Sequence, residues 1–467
     1  MTTHPATNTT DASTWSPMSW QSKPVTQDVD YARHPEHPHA LKRALDKLRS
    51  VPPLVTSWEV ERLKSLIAEA QQGKRFLLQG GDCAETLADC RPEQITSKLK
   101  ILLQMSLVLI HGSQKPVIRV GRFAGQYAKP RSKPLEKKGD VELPSYFGDL
   151  INRADFTEVA RTPDPHMLVR GYQHAAMTIN FIRSLATGGF ADLHHPESWE
   201  LGFVKNADLP DHRKAQYHDL MERLADGLRF MEALSDNAVH ESSAVEFFTS
   251  HEGLNLYYES AQTRTVPRRD GHYDLTTHLP WIGERTRDLA GAHIEFFRGI
   301  RNPVGVKVGP SADPAEIVRL IETLNPGNEP GKMILISRLG AKNAATALPP
   351  ILEAVRDSGH PVLWVSDPMH GNGQTTATGI KTRSFDNILV ELETVMDAHE
   401  AAGTILGGVH FELTGEDVTE CIGGASGVTE ASLTQNYASL CDPRLNYQQS
   451  LELAFLLAGR FRAARGS

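Results

Sequence analysis

The sequence predicts a (β/α)8 barrel of the TIM type carrying extra helices inserted after strand 2 and an N-terminal extension. Three observations carry this reading. Eight short apolar runs rich in β-branched residues recur along the chain, most close on Gly or a charged residue, and helical stretches separate most of them. Strands alternating with helices build a parallel sheet, and eight such units close into a barrel. A doubly wound open sheet satisfies the same alternation, and the runs alone do not exclude it. The 467 residues are about three times a typical domain, but one barrel with insertions can run past roughly 400 residues.

Residues 1–20 are rich in Thr, Ser and Pro and read as a poorly ordered terminus. His34, His37 and His39 are interleaved with Pro35 and Pro38, which favours a solvated connector over a metal site. Residues 21–72 form an N-terminal helical extension. Its second helix opens at the capping box Thr56–Glu59, places Val60, Leu63, Leu66, Ile67 and Ala70 on one face, and stops at Gly73. The catalytic barrel fills 73–467. Its strand runs are Phe76–Asp82, Pro116–Arg122, Glu246–Glu252, His278–Arg285, Val304–Val308, Met333–Arg338, Val362–Asp367 and Gly407–Glu412. The stretch 123–245 is far longer than the roughly 30–40 residues one unit needs. Helical patterns at Leu168–Ala186 and His212–Leu234 fall inside it, with the inserted helices placed at about 190–235.

Lys plus Arg number 49 against 57 Asp plus Glu, a net charge of −8. That excludes a nucleic-acid binder working through bulk positive charge. No apolar run approaches the ~20 residues of a membrane span. The first residues carry neither a signal nor a transit pattern, and four cysteines do not make a disulfide scaffold. A cytoplasmic enzyme is expected, with no membrane or nucleic-acid partner.

Barrel enzymes build their sites where strands run out. Those ends carry Cys83, Arg122, His251–Glu252, Glu284–Arg285, Lys307, Arg338, His370 and Glu412. Two subsets separate by chemistry. Cys83, His370 and Glu412, with Asp442 just beyond the last strand, offer a thiolate, an imidazole and two carboxylates. Such a set suits Mn2+, Fe2+, Co2+ or Zn2+ and not Ca2+. Taken singly, Cys83 also reads as a small buried hydrophobe, and Asp442 before Pro443 as a turn starter. The second subset, Arg122, Lys129, Arg131, Arg285, Lys307 and Arg338, calls for an anionic ligand with at least two negative charges. Lys129 and Arg131 read equally well as solvated loop charges. Gly80–Gly81, Gly121, Gly371 and Gly373 allow close approach of a ligand, but none forms a P-loop or dinucleotide fingerprint.

The segments LLQGGDCAE (77–85), GRFAGQYAKPRS (121–132), WIGERTR (281–287), NPVGVKVGP (302–310), SRLG (337–340), DPMHGN (367–372), HFELTGEDVTECIGG (410–424) and CDPRLN (441–446) resemble type II 3-deoxy-D-arabino-heptulosonate 7-phosphate (DAHP) synthases. The resemblance runs from about residue 18 to the C-terminus. It implies condensation of phosphoenolpyruvate with D-erythrose 4-phosphate and water to DAHP and phosphate, the first step of the shikimate pathway. By motif, the metal falls on Cys83, His370, Glu412 and Asp442, with Mn2+ or Co2+ ahead of Zn2+, Fe2+ or Cd2+. Phosphoenolpyruvate falls on Arg122, Glu284, Arg285, Lys307 and Arg338, while Lys129, Arg131 and Ser132 face the erythrose phosphate. Lys307, Glu284, Cys83 and His370 are expected to carry the chemistry, Glu284 by orienting the water. The extension and insertion are expected to build homodimer or homotetramer interfaces and sites for feedback inhibition by Trp or Phe. Some relatives bind a small chorismate mutase.

If Cys83 and Asp442 share an ion, Cys441 lies near Cys83, and oxidation would remove a ligand. Two rival readings remain: a metal-independent aldolase using a Schiff base on Lys307, and a non-catalytic paralogue sensing aromatic amino acids.

Overall fold

The computed structural model describes residues 15–27, 29–187 and 245–466, with isolated positions 214, 215, 218 and 222. Residues 1–14, the helical pattern at 212–234 and the inserted helices at 190–235 lie outside the described residues, apart from those isolated positions. All eight apolar runs become strands. They are β1 (Phe76–Gly81), β2 (Val117–Arg122), β3 (Phe248–Glu252), β4 (Leu279–Ile282), β5 (Val304–Val308), β6 (Met333–Ser337), β7 (Val362–Ser366) and β8 (Leu406–Glu412). Every neighbouring pair is parallel, and β1 bonds both β2 and β8, so the sheet closes and the open-sheet alternative falls.

Register sets the level of the site. Gly81 at the end of β1 lies opposite both Arg122 on β2 and Glu412 on β8. A Cβ on Gly81 would come within 2.8 Å of the Arg122 carbonyl oxygen, and its φ of +144° lies where side chains are disfavoured. Glycine therefore lets these three strand ends draw together.

Helix α1 spans His39–Ser50 and α2 spans Ser57–Gln71. The capping box is formed: Glu59 N–H donates to the Thr56 hydroxyl at 3.3 Å, and Thr56 N–H donates to the Glu59 carboxylate at 2.8 Å. The apolar face of α2 then continues the barrel interior. Leu63, Leu66, Ile67 and Ala70 share one buried cluster with Leu77, Ile118, Leu279, Ile334 and Leu363, so the helix plugs the end where the strands begin. Helix α3 (Pro92–Ser113) packs on the last helix, α5 (Tyr447–Gly466), while α4 (His166–Thr187) follows the Leu168–Ala186 pattern.

Residues 15–20 differ from the disordered terminus expected. The Trp15 indole donates to the Glu295 carbonyl at 2.9 Å, and buried Trp20 donates to the Ser260 hydroxyl at 2.8 Å. Two large apolar rings with their N–H groups satisfied outweigh the polar composition around them.

Candidate active site

The predicted site residues lie at the ends of barrel strands or in the loops that follow them. Glu412 closes β8, is fully buried, and is the hub of the acid cluster. Its Oε1 meets Arg122 Nη2 at 3.1 Å and His370 Nε2 at 2.9 Å, and its Oε2 meets Arg383 Nη1 at 2.5 Å. Burial would raise this carboxyl, but His370, Arg383, Lys129 and Arg122 hold it well below the usual range. Cys83 arrives two residues beyond β1, and Asp442 arrives on the chain after β8. Their ligand atoms and one oxygen of Glu412 all lie within 4.8 Å of one another. Asp442 N–H also donates to Cys83 Sγ at 3.4 Å.

His370 joins the cluster through a second carboxylate. Its Nδ1 is 2.7 Å from Asp367 Oδ2, and Asp367 Oδ1 accepts the Met369 and His370 backbone N–H groups at 3.0 and 3.2 Å. A carboxylate on Nδ1 fixes the ring and leaves Nε2 facing Glu412, as metal-ligating histidines require. The same Asp367 Oδ2 is also ion-paired with Lys307. One buried acid thus spans the metal-type cluster and the cation cluster.

Lys307 and Arg122 both lie over Trp281, at 5.9 and 5.2 Å from its ring centre. Burial lowers the Lys307 ammonium to about 8, although Asp367 opposes the shift. Arg338 donates to the His370 carbonyl at 2.7 Å. These groups, with Glu252, Glu284 and Arg285, line a cavity of about 440 Å³ that also reaches Cys83, His370 and Asp442. One chamber thus sets Arg122, Arg285, Lys307 and Arg338 beside thiol, imidazole and carboxylate groups.

The structure brings Cys83, Glu412 and Asp442 within 4.8 Å of one another, sets His370 2.9 Å from Glu412, and gathers most of the cations around the same cavity, with two differences in detail. The Lys129 ammonium sits inside the acid cluster, on Cys83 Sγ and 2.5 Å from Asp442 Oδ2. Its alkyl chain spans the short distance from a loop whose Ala124, Gly125 and Gln126 N–H groups are all fastened to Glu85 at 2.9 Å. Arg131 and Ser132 do not line the cavity; Ser132 reaches its mouth through a 3.1 Å bond from Arg285. Glu284 lines the cavity and is paired with Arg287 at 3.0 Å.

Sequence reasoning missed Arg383, Asp367 and Trp281. Arg383 lies in a hairpin (Gly373–Thr375 with Lys381–Arg383) inserted after β7, where no pattern in the chain marks it. Asp367 stood in plain view as the last residue of a predicted run, but the nearby imidazole drew the assignment. Trp281 reads as ordinary core, and only the two cations over its ring show otherwise.

The model of the Class-II DAHP synthetase family matches residues 15–458. The chain belongs to the class-II DAHP synthetase family. A phospho-2-dehydro-3-deoxyheptonate aldolase of Neurospora crassa is 46% identical over 98% of this chain and 96% of its own length. One from Streptomyces coelicolor is 47% identical over 93% and 96%. A third, named phospho-2-dehydro-3-deoxyheptonate aldolase AroG, from Mycolicibacterium smegmatis, is 45% identical over 94% and 93%. As a member of this family the chain is a DAHP synthase, an enzyme of phosphoenolpyruvate and erythrose 4-phosphate condensation. No helix among the described residues is long and apolar enough to cross a membrane.

Proposed function

We propose that this DAHP synthase holds one divalent ion on Cys83, His370, Glu412 and Asp442, with Mn2+ or Co2+ the first choices. The observation that carries the reading is the convergence of a thiol and two carboxylates within 4.8 Å, with an imidazole 2.9 Å from one of them. Bound there, the ion supplies Lewis acidity toward the aldehyde oxygen of erythrose 4-phosphate.

The chain's own residues do the rest. Arg122, Lys307 and Arg338 fix the carboxylate and phosphate of phosphoenolpyruvate, and Arg285 at the mouth adds a fourth cation. Rigid placement of this kind supplies much of a condensation's rate, because two mobile reactants meet in one orientation. Trp281 forms a flat, apolar wall beneath Arg122 and Lys307. Arg131 and Ser132, the latter bonded to Arg285, take the erythrose phosphate, with the Lys129 ammonium serving it from within the acid cluster. Glu284 orients the water that adds at C2 as phosphate leaves.

Feedback inhibition fits a second pocket of about 370 Å³ where β3 and β4 begin. Ile179, Ile182 and Phe247 line it, and ion pairs Arg62–Glu246 and Arg183–Glu59, each at 2.7 Å, edge it. An apolar floor with both charges at the rim suits a zwitterionic aromatic amino acid, Trp or Phe. Filling it with Ile182→Trp should abolish inhibition while leaving uninhibited turnover unchanged. Assembly as a homodimer or homotetramer, a chorismate mutase partner and a cytoplasmic location belong to the same proposal.

The test is loss of phosphoenolpyruvate absorbance in the presence of erythrose 4-phosphate. Activity should vanish with a chelator and return with Mn2+ or Co2+. Activity indifferent to chelation, with borohydride trapping Lys307, would replace this mechanism with a Schiff-base aldolase. Activity restored equally by every divalent ion, Ca2+ included, would refute the choice of Mn2+ or Co2+.

A further inference from the structure

Beneath the acid cluster lies a group of four charged side chains that does not line the cavity: Asp82, Lys98, Glu420 and Arg444. All are buried, Asp82 and Glu420 completely. Arg444 is the centre. Its Nη1 donates to Asp82 Oδ1 at 2.6 Å, and its Nη2 and Nε donate to Glu420 at 2.8 and 3.1 Å. The other oxygen of Asp82 is paired with Lys98 on α3. Two positive and two negative groups balance, which offsets the desolvation that isolated buried charges would suffer.

What this group joins is specific. Asp82 is bonded covalently to Cys83, and Arg444 lies two residues beyond Asp442, so the guanidinium ties together two loops more than 350 residues apart. Glu420 fastens the second loop, accepting N–H bonds from Ala438 at 3.2 Å, Ser439 at 2.8 Å and Arg444 at 2.8 Å. The Ser439 hydroxyl in turn donates to the Asp442 carbonyl at 2.8 Å. A planar fork with several donors can hold both carboxylates at once, which an ammonium cannot.

Resting on the metal assignment above, we infer that Arg444 is a positioning residue that sets the distance between the Cys83 and Asp442 arms of the metal site. It governs metal affinity and thiolate ligation without touching the ion. Outer-shell partners of metal sites generally act in this way, and their loss weakens metal binding about 10- to 100-fold.

The experiment titrates the full-length, chelator-stripped protein with Co2+ and reads the thiolate-to-cobalt charge-transfer band beside the d–d bands. Arg444→Lys should stay folded, bind Co2+ at least about tenfold more weakly, and show less charge-transfer intensity per bound ion. Arg161→Lys is the control. Arg161 is also buried, pairs with Glu136 at 2.7 Å, and neither lines the cavity nor bonds the Cys83 or Asp442 loop. It should lower thermal stability and leave both cobalt readouts alone. Wild-type affinity and band shape in Arg444→Lys would overturn the proposal. Absence of a thiolate band in the wild-type protein would instead refute the metal assignment. If Arg444→Lys does not refold, Asp82→Asn keeps an oxygen for Arg444 without the charge, and the same two outcomes decide.

Discussion

Asp367→Asn should separate the two halves of the site by a measurable amount. The side chain keeps its shape, and one amide oxygen can still accept from the Met369 and His370 N–H groups. What it loses is the charge that faces both Lys307 and His370 Nδ1. A hydrogen bond to a charged group contributes about 1.5–3 kcal/mol, and about 1.36 kcal/mol is tenfold. Phosphoenolpyruvate affinity should therefore fall roughly 10- to 150-fold. Lys307, already at about 8 with Asp367 supporting its charge, should titrate lower still, so the loss should be greater at pH 8 than at pH 6.5. Metal affinity should fall as well, because the ring of His370 is no longer anchored. The assay is the phosphoenolpyruvate KM at saturating Mn2+ across that pH range, with Mn2+ affinity measured by the spin resonance of the free ion. A KM within twofold of wild type at every pH, with unchanged Mn2+ affinity, would refute the reasoning.

Three further outcomes are expected. In the wild-type enzyme the phosphoenolpyruvate KM should rise as pH climbs through about 8: the low ammonium pKa means Lys307 loses its charge there, and binding a polyanion must then take up a proton. Isothermal calorimetry in buffers of different ionisation enthalpy should detect that proton. Arg383→Met should leave the buried Glu412 without its nearest guanidinium and cost about 3–5 kcal/mol of stability in denaturant unfolding, with Arg383→Lys recovering part of it. Cys83 and Cys441 share a small buried cluster with Tyr146. Mild oxidation should thus inactivate the enzyme with a Cys83–Cys441 cross-link visible by mass spectrometry, and Cys441→Ser should retain activity and resist the oxidant. Inactivation of Cys441→Ser at the wild-type rate would remove this role.

The eight strands were legible because a barrel strand is buried on both faces, so its sequence is a short continuous apolar run that stops where the wall ends. The residues at those stops were legible for the same reason: a charged group directly after Val, Ile and Leu has little to do except face the mouth. Helix α2 announced itself through its capping box and apolar stripe, although nothing in that stripe told that its partner is the barrel interior. Residues 15–20 misled because composition averages over a segment, whereas two indole rings decide its fate.

Local pattern by itself therefore determined the strand count and the ionisable character of the strand ends, and from it the donor set of Cys83, His370, Glu412 and Asp442 is proposed. Tertiary structure alone decided closure, the level at which Gly81, Arg122 and Glu412 meet, and every contact that crosses the chain. Asp367 bridging Lys307 to His370, Arg383 on Glu412, and Arg444 tying Asp82 to Glu420 are of this kind. The reason is physical: hydrophobic periodicity is a short-range property of neighbouring residues, while ion pairing depends on which distant segments the closed barrel carries to one place.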